Sequence, residues 1–146
     1  MYNFMYEPGG NACPVCTSFM DSLNDGVPHI EQYYNFALIA QASVEELKSW
    51  VSARKWSNLT VLSSSKTTYN LDYNAEAHKG RQLMALNAFR KTVDEIFHAW
   101  AFELFYARGD DDKAPRHPER IWPFCSIYYV TLYGRPGDWI PAYRYG

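Results

Sequence analysis

Cysteine is scarce: the 146-residue chain has three, too few to staple a secreted scaffold with disulfides. A long apolar run is also missing, because Glu95, His98 and Glu103 interrupt the longest candidate before it reaches the roughly 18 residues that a membrane span requires. Met1 is followed by neither a basic segment nor an apolar signal core, so nothing in the sequence marks the chain for export. These absences lead us to expect a soluble, cytoplasmic protein with reduced thiols and no membrane partner. Nor does one sign of charge dominate. Fourteen basic residues face 16 acidic ones for a net charge of −2, which leaves no footprint for nucleic acid or anionic lipid. No Gly-rich phosphate loop, Ser-His-Asp arrangement, repeat or linker is discernible.

What is present is apolar and aromatic. With 47% hydrophobic residues the chain can bury one sizeable core, and a single domain over residues 1–146 is expected. Twelve Tyr, eight Phe and five Trp exceed what that core needs. Some rings should therefore line a groove, a subunit contact or a pocket.

Residues 2 to 6 suit a buried strand, and Pro8-Gly9-Gly10-Asn11 supplies turn chemistry. From Pro14 to about Asp25 the apolar positions Val15, Phe19 and Leu23 recur at helical spacing, with Pro14 suited to the first position and Gly26 to the end. Pro28 can start a further turn over Val27 to Gln32. Phe36 to Ala40 reads as a strand buried on both faces. Ser43 and Glu46 form a capping box for a second helix, whose inner stripe is Val44, Leu47, Trp50 and Val51. A short strand follows at Leu59 to Leu62. Ser63 to Arg81 has no sustained period and either is functional or hides short elements. Leu83 to Phe89 and Asp94 to Phe102 read as a hairpin joined at Arg90-Lys91-Thr92. After a charged loop over Arg108 to Arg120, Ile121 to Tyr133 suits a last helix in which Pro123 fits only the first turn. Gly134 to Gly146 is turn-rich and aromatic, suited to packing over the surface.

The sequence Cys13-Pro14-Val15-Cys16 carries the chemistry. Three residues along a first helical turn place both thiols on one side, at a separation a disulfide can bridge, and the unpaired N–H groups there favour a thiolate. Cys13 is the candidate attacking thiolate, more exposed and with its pKa lowered from about 8.5; Cys16 is the candidate resolving thiol. Exchange runs through a mixed disulfide or a sulfenic acid and requires no cofactor. The competing readings are a pair of ordinary core cysteines, an inert disulfide, or half of a zinc site. Zinc needs two further ligands, and Cys125, His29, His78, His98 and His117 offer no second paired spacing.

The order strand, C-x-x-C helix, strand, helix, hairpin, helix resembles the thioredoxin fold without its opening strand and helix. Asn11 to Cys16, Gly26-Val27-Pro28-His29, Leu62-Ser63-Ser64, Asn70-Leu71-Asp72-Tyr73 and Ile121-Trp122-Pro123 resemble the bacterial thioredoxin-like family catalogued as domain of unknown function 899, over nearly the whole chain. That resemblance implies an α/β, thioredoxin-like fold: a central mixed sheet with flanking helices and a C-terminal antiparallel hairpin. Against that family the chain begins late, as an N-terminally abbreviated domain: either its start is truncated or the protein lacks those elements, and the second case would leave a sheet edge open to pairing in a homo-oligomer. The resemblance implies redox activity without naming a substrate. Two departures from ordinary thioredoxins stand out. Pro14-Val15 replaces Gly-Pro, a position whose residues can shift the redox potential in either direction, and His78-Lys79-Gly80-Arg81-Gln82 precedes Leu83 without the usual cis-proline. The second bears on protein-disulfide reduction more than on dithiol chemistry itself.

Other residues have weaker claims. Tyr69, Asn70, Asp72 and Tyr73, within the family-like segment, could line the cleft opposite the dithiol; the competing reading is turn chemistry. His29 could shuttle protons or cap a helix. Glu7 could be a nearby base or a plain loop carboxylate. Cys125, in an apolar run, suits a buried thiol. Arg108-Gly109-Asp110 and Asn58-Leu59-Thr60 are chance motif matches in a chain without an export signal, and Asp110 to Asp112 lack a spaced calcium pattern. The leading expectation is a thiol-disulfide oxidoreductase acting on a disulfide or a peroxide, with a thiol reductant as its other partner. The alternatives are a peroxiredoxin-like thiol peroxidase and a non-catalytic binding protein that uses the aromatic surplus.

Overall fold

The computed structural model describes residues 1–77, 80–103, 121–131 and 140–146. They form an α/β fold around a five-stranded mixed sheet of order β3-β2-β1-β4-β5. The strands are β1 (Tyr2–Asn3), β2 (Ala37–Ala40), β3 (Thr60–Ser63), β4 (Ala85–Lys91) and β5 (Ile96–Glu103). β1 pairs parallel with β2, β2 parallel with β3, and β4 antiparallel with both β1 and β5. The helices are α1 (Pro14–Leu23), α2 (Val27–Ile30), α3 (Val44–Arg54), α4 (Tyr69–Asp72) and α5 (Pro123–Tyr129).

β1, β2 and β3 lie side by side in chain order. Right-handed crossovers advancing in one direction put α1 and α3 on the same face of the sheet. Their contacts agree: Cys16, Phe19 and Met20 of α1 and Leu47 of α3 share one core with Tyr2, Phe4, Leu38 and Ala40. Trp122 and Cys125 at the start of α5 join it. Residues alternate across the sheet, so Ile39, between Leu38 and Ala40, belongs to a second, smaller cluster with Tyr69 and Ala75, against which Met1, Tyr73 and Phe89 pack.

Several boundaries differ from the sequence reading. The first strand is regular only over Tyr2–Asn3, although Phe4 N–H still donates to the Ile39 carbonyl at 2.8 Å. Beyond it the backbone bends to bond Ala42 and Cys13. Gly26 does not end the helix there. It sits in a 3-10 turn, Asn24–Gly26, with right-handed dihedrals that lead straight into α2. The capping box forms as expected, with Glu46 N–H donating to Ser43 Oγ at 3.2 Å and Ser43 N–H to Glu46 Oε2 at 2.7 Å. Val44, however, is exposed rather than part of the inner stripe.

The aperiodic stretch from Ser63 to Arg81 hides α4 and a bridge between Glu76 and Gln82. The hairpin turns later than Arg90-Lys91-Thr92 suggested. Arg90 and Lys91 still pair, with Phe97 and Ile96, and the turn closes where Thr92 N–H donates to the Glu95 carbonyl at 2.8 Å. Pro123 opens α5, which ends at Tyr129, earlier than expected. The charged loop over 108–120, with Asp110 to Asp112 and His117, lies outside the described residues, as do His78 and Lys79. Among the described residues no helix is long and apolar enough to cross a membrane.

Candidate functional site

Cys13 is the N-cap of α1. Its backbone is extended (φ −62°, ψ 126°), and Pro14, which has no N–H to satisfy, begins the helix. The Cys13 sulfur accepts the Cys16 backbone N–H at 3.5 Å. Both cysteines are free thiols, and they differ sharply in surroundings. Cys13 is half-buried, whereas Cys16 is fully buried. The hydrogen bond from the Cys16 thiol, opposed by partial burial and helped by the Cys16 and Val15 backbone N–H groups, lowers Cys13 to about 7. Burial pushes the Cys16 thiol well up, as do its donation to Cys13 and the nearby Cys13 charge. The two thiols thus divide into one that ionises near neutrality and one that keeps its proton. The buried Tyr2 hydroxyl, which has no well-formed hydrogen bond, lies beside Cys16 in the core.

The loop before Cys13 is fixed from several sides. Cys13 N–H donates to the Met5 carbonyl at 2.9 Å, and Gly10 N–H to the Glu7 carbonyl at 3.0 Å. Gly9 adopts φ +68°, a left-handed conformation that costs glycine little, and donates its N–H to Glu46 Oε1 at 2.6 Å. Tyr6 N–H donates to Gln82 Oε1 at 3.2 Å, and Gln82 Nε2 donates to Gln41 Oε1 at 2.6 Å. Gln82 is buried, so this bridge fastens the segment preceding β4 to the strand end that leads to the thiols.

A cavity of about 550 Å³ opens beside Cys13, lined by Met5, Glu7, Asn11, Arg81, Gln82, Leu83 and Met84. It lies at the carboxyl end of β1, where open α/β sheets place their ligand crevices. The C-terminal segment approaches the same helix end. The Tyr143 hydroxyl donates to the Ala12 carbonyl, its ring meets Trp50 edge-on at 5.4 Å, and Arg54 Nη1 donates to its carbonyl at 2.5 Å.

The other sequence candidates scatter. Glu7 does line the cleft. His29 is exposed in α2 and is not among the lining residues. Tyr69, Asn70, Asp72 and Tyr73 also fall outside the lining. Tyr69 and Tyr73 serve the second cluster, Asn70 Oδ1 accepts from Ser64 Oγ at 2.5 Å, and Asp72 Oδ2 accepts from Thr68 Oγ1 at 2.6 Å. Those last two bonds run from side chain to side chain within the segment around α4. Cys125 is buried away from the cleft lining, in the main core. Among the described residues no three His, Cys, Asp or Glu side chains gather as a metal site.

Arg81, Gln82 and Met84 were missed as site residues. The sequence signal for Arg81 and Gln82 was the comparison with thioredoxins, which sets residues 78–82 at the usual cis-proline position; Met84 fell inside the strand read over Leu83 to Phe89.

The model of a family described as bacterial protein of unknown function (DUF899) matches residues 1–141, and the chain belongs to that family. No curated protein and no solved structure matches it.

Proposed function

We propose that this member of a bacterial family of unknown function is a thioredoxin-like thiol-disulfide oxidoreductase in which Cys13 attacks and Cys16 resolves. The observation that carries the reading is the asymmetry of the pair: a half-buried thiol at a helix N-terminus, lowered to about 7, hydrogen-bonded to a fully buried one held well above its usual range. The strand leading into the C-x-x-C helix and the antiparallel β4–β5 hairpin support the thioredoxin-like comparison. In the first step the Cys13 thiolate attacks one sulfur of a disulfide R–S–S–R, forming Cys13–S–S–R and releasing R–S⁻. Cys16 then attacks the Cys13 sulfur. A Cys13–Cys16 disulfide forms, and R–SH leaves with the proton that Cys16 gave up, so two electrons pass from the dithiol to the substrate. A thiol reductant regenerates the pair.

Arg81 in the cleft lining favours a second reading, thiol peroxidase. A cation there would steady the alkoxide or hydroxide leaving from a peroxide as Cys13 becomes a sulfenic acid, which Cys16 condenses to the disulfide with loss of water.

A glutathione redox titration, with Cys13→Ser as control, tests dithiol function directly. The expected result is a single two-electron transition that vanishes in the variant. Rapid peroxide consumption with slow disulfide exchange would favour the second reading. Alkylation of Cys13 at neutral pH no faster than that of a free thiol would end both and leave a binding role for exposed rings such as Trp100 and Phe97.

A further inference from the structure

The Tyr2 hydroxyl is buried and has no well-formed hydrogen bond among the described residues. A hydroxyl sealed from water without a partner is costly, and such a group in a folded protein calls for a reason. Tyr2 is held on all sides. It pairs with Leu38 of β2 and with Leu86 of β4, and its ring meets Phe19 edge-on at 5.2 Å. Phe19 stands three residues after Cys16 in α1, a spacing that puts the two on one helix face. Tyr2, Cys16 and Phe19 share one core, with Cys16 fully buried in it. Across this contact the hydroxyl lies beside the Cys16 sulfur. Burial, together with the neighbouring Cys16, pushes the Tyr2 hydroxyl well up, so it keeps its proton and remains a donor.

We propose that Tyr2 is a catalytic residue whose hydroxyl donates to the Cys16 sulfur while that sulfur carries negative charge, as it attacks Cys13 or leaves from it. This rests on the thiol-disulfide reading above and adds a group to its second step. In the reduced protein Cys16 is a thiol that donates to Cys13, and a neutral thiol is a weak acceptor, so the hydroxyl stays unpartnered. Burial is the main cause that keeps the proton on Cys16, followed by its bond to Cys13 and the Cys13 charge, whereas the Tyr2 hydroxyl and the Met5 backbone N–H favour the thiolate. Once Cys13 is held in Cys13–S–S–R its charge is gone, and Cys16 must ionise inside the core. Cys16 then attacks the Cys13 sulfur and the bond from Cys13 to the R sulfur breaks. R–S⁻ takes up the Cys16 proton and leaves as R–SH, while Tyr2 keeps its own. A donor already in place where charge develops needs little reorganisation at that moment.

The test reads the reverse of that step, in which Cys16 is the leaving thiolate. Full-length protein carrying the Cys13–Cys16 disulfide is reduced by dithiothreitol, which attacks the more accessible Cys13 sulfur, and the second-order rate is recorded. Alkylation of Cys13 by iodoacetamide in the reduced protein is the companion measurement, because it does not involve charge on Cys16. Tyr2→Phe keeps the ring against Phe19 and should slow the reduction by about tenfold, the low end for a hydrogen bond to a charged group, with the alkylation rate unchanged. The reduced variant should melt no lower than the unmodified protein, since the hydroxyl it loses had no partner. An unchanged or faster reduction of Tyr2→Phe overturns the inference while leaving the redox reading in place. So does a parallel fall in both rates with a lowered melting temperature, or a variant that does not fold, because the hydroxyl would then be structural. If glutathione disulfide forms no Cys13–Cys16 disulfide in the unmodified protein, the redox reading is removed, and the inference with it.

Discussion

The Glu46 carboxylate faces two ways: Oε2 accepts the Ser43 N–H that caps α3, and Oε1 accepts the N–H of Gly9 in the loop leading to Cys13. One side chain thus ties the start of the second crossover helix to the loop before the reactive thiol. These bonds, first from the Ser43 side chain and then from the Gly9 and Ser43 backbone, hold Glu46 below the usual carboxylate range. Because the folded-state pKa lies below the unfolded one, this contribution is present above the unfolded value and is lost as pH falls through the folded one. Glu46→Gln should lower stability at neutral pH, with the gap to the unmodified protein closing as pH falls through the folded value, and should speed hydrogen exchange at the Gly9 amide, followed by NMR. Ser43→Ala, which removes the cap alone, should cost about 1 kcal/mol and leave the Gly9 amide protected.

The alkylation rate of Cys13 should follow a single titration centred near 7 and fall about tenfold per pH unit well below it. Cys16→Ala should move that midpoint upward, because the hydrogen bond from the Cys16 thiol is the largest cause of the lowering. Iodoacetamide kinetics across the pH range check both. A midpoint unmoved in Cys16→Ala would mean that the helix terminus alone sets the ionisation. The stability sign follows from the same lowering. The thiolate contribution is complete above the ordinary cysteine value and disappears as pH falls through about 7. The melting temperature of the reduced protein should therefore gain on that of Cys13→Ser as pH rises between those values.

Gln82→Leu should destabilise by about 1–3 kcal/mol, because it leaves the Tyr6 N–H without its acceptor in the buried bridge. The damage should reach the site as well as the core. Urea unfolding gives the first quantity, and the alkylation rate of Cys13 in the variant gives the second. A variant with lower stability and unchanged Cys13 kinetics would show that the bridge does not position the cleft.

Tyr143→Phe keeps the ring against Trp50 but removes the hydroxyl that donates to the Ala12 carbonyl. A loss of about 1 kcal/mol is expected, with faster hydrogen exchange or proteolysis confined to the C-terminal segment. Equal protection of that segment in both proteins would mean that Arg54, paired with Asp21 and bonded to the Tyr143 carbonyl, holds it unaided.

Cys125→Ala should cost about 1–2 kcal/mol as a cavity in the core without altering the pH profile of Cys13. Differential alkylation and thermal unfolding, run on the same preparation, separate the two effects.

Local chemistry was readable from the chain itself. Cys13 and Cys16 share a helical turn because they are three residues apart, Pro14 fits the first turn, where N–H groups have no intrahelical acceptor, and Ser43 with Glu46 spells a capping box; each depends on neighbours within a turn. The wall of the cleft was a different matter. Arg81 and Gln82 lie far along the chain from Cys13, and only the pairing of β4 with β1 brings them beside it. The same long-range pairing sent Tyr69 and Tyr73 to the other face of the sheet with Ile39 and Phe89, because alternate residues of a strand face opposite sides. Sequence alone determined that the two thiols share one helical turn and how α1 and α3 begin. Which residues border the cleft beside Cys13 was decided by strand order, a property of nonlocal hydrogen bonding and burial that no short window of residues contains.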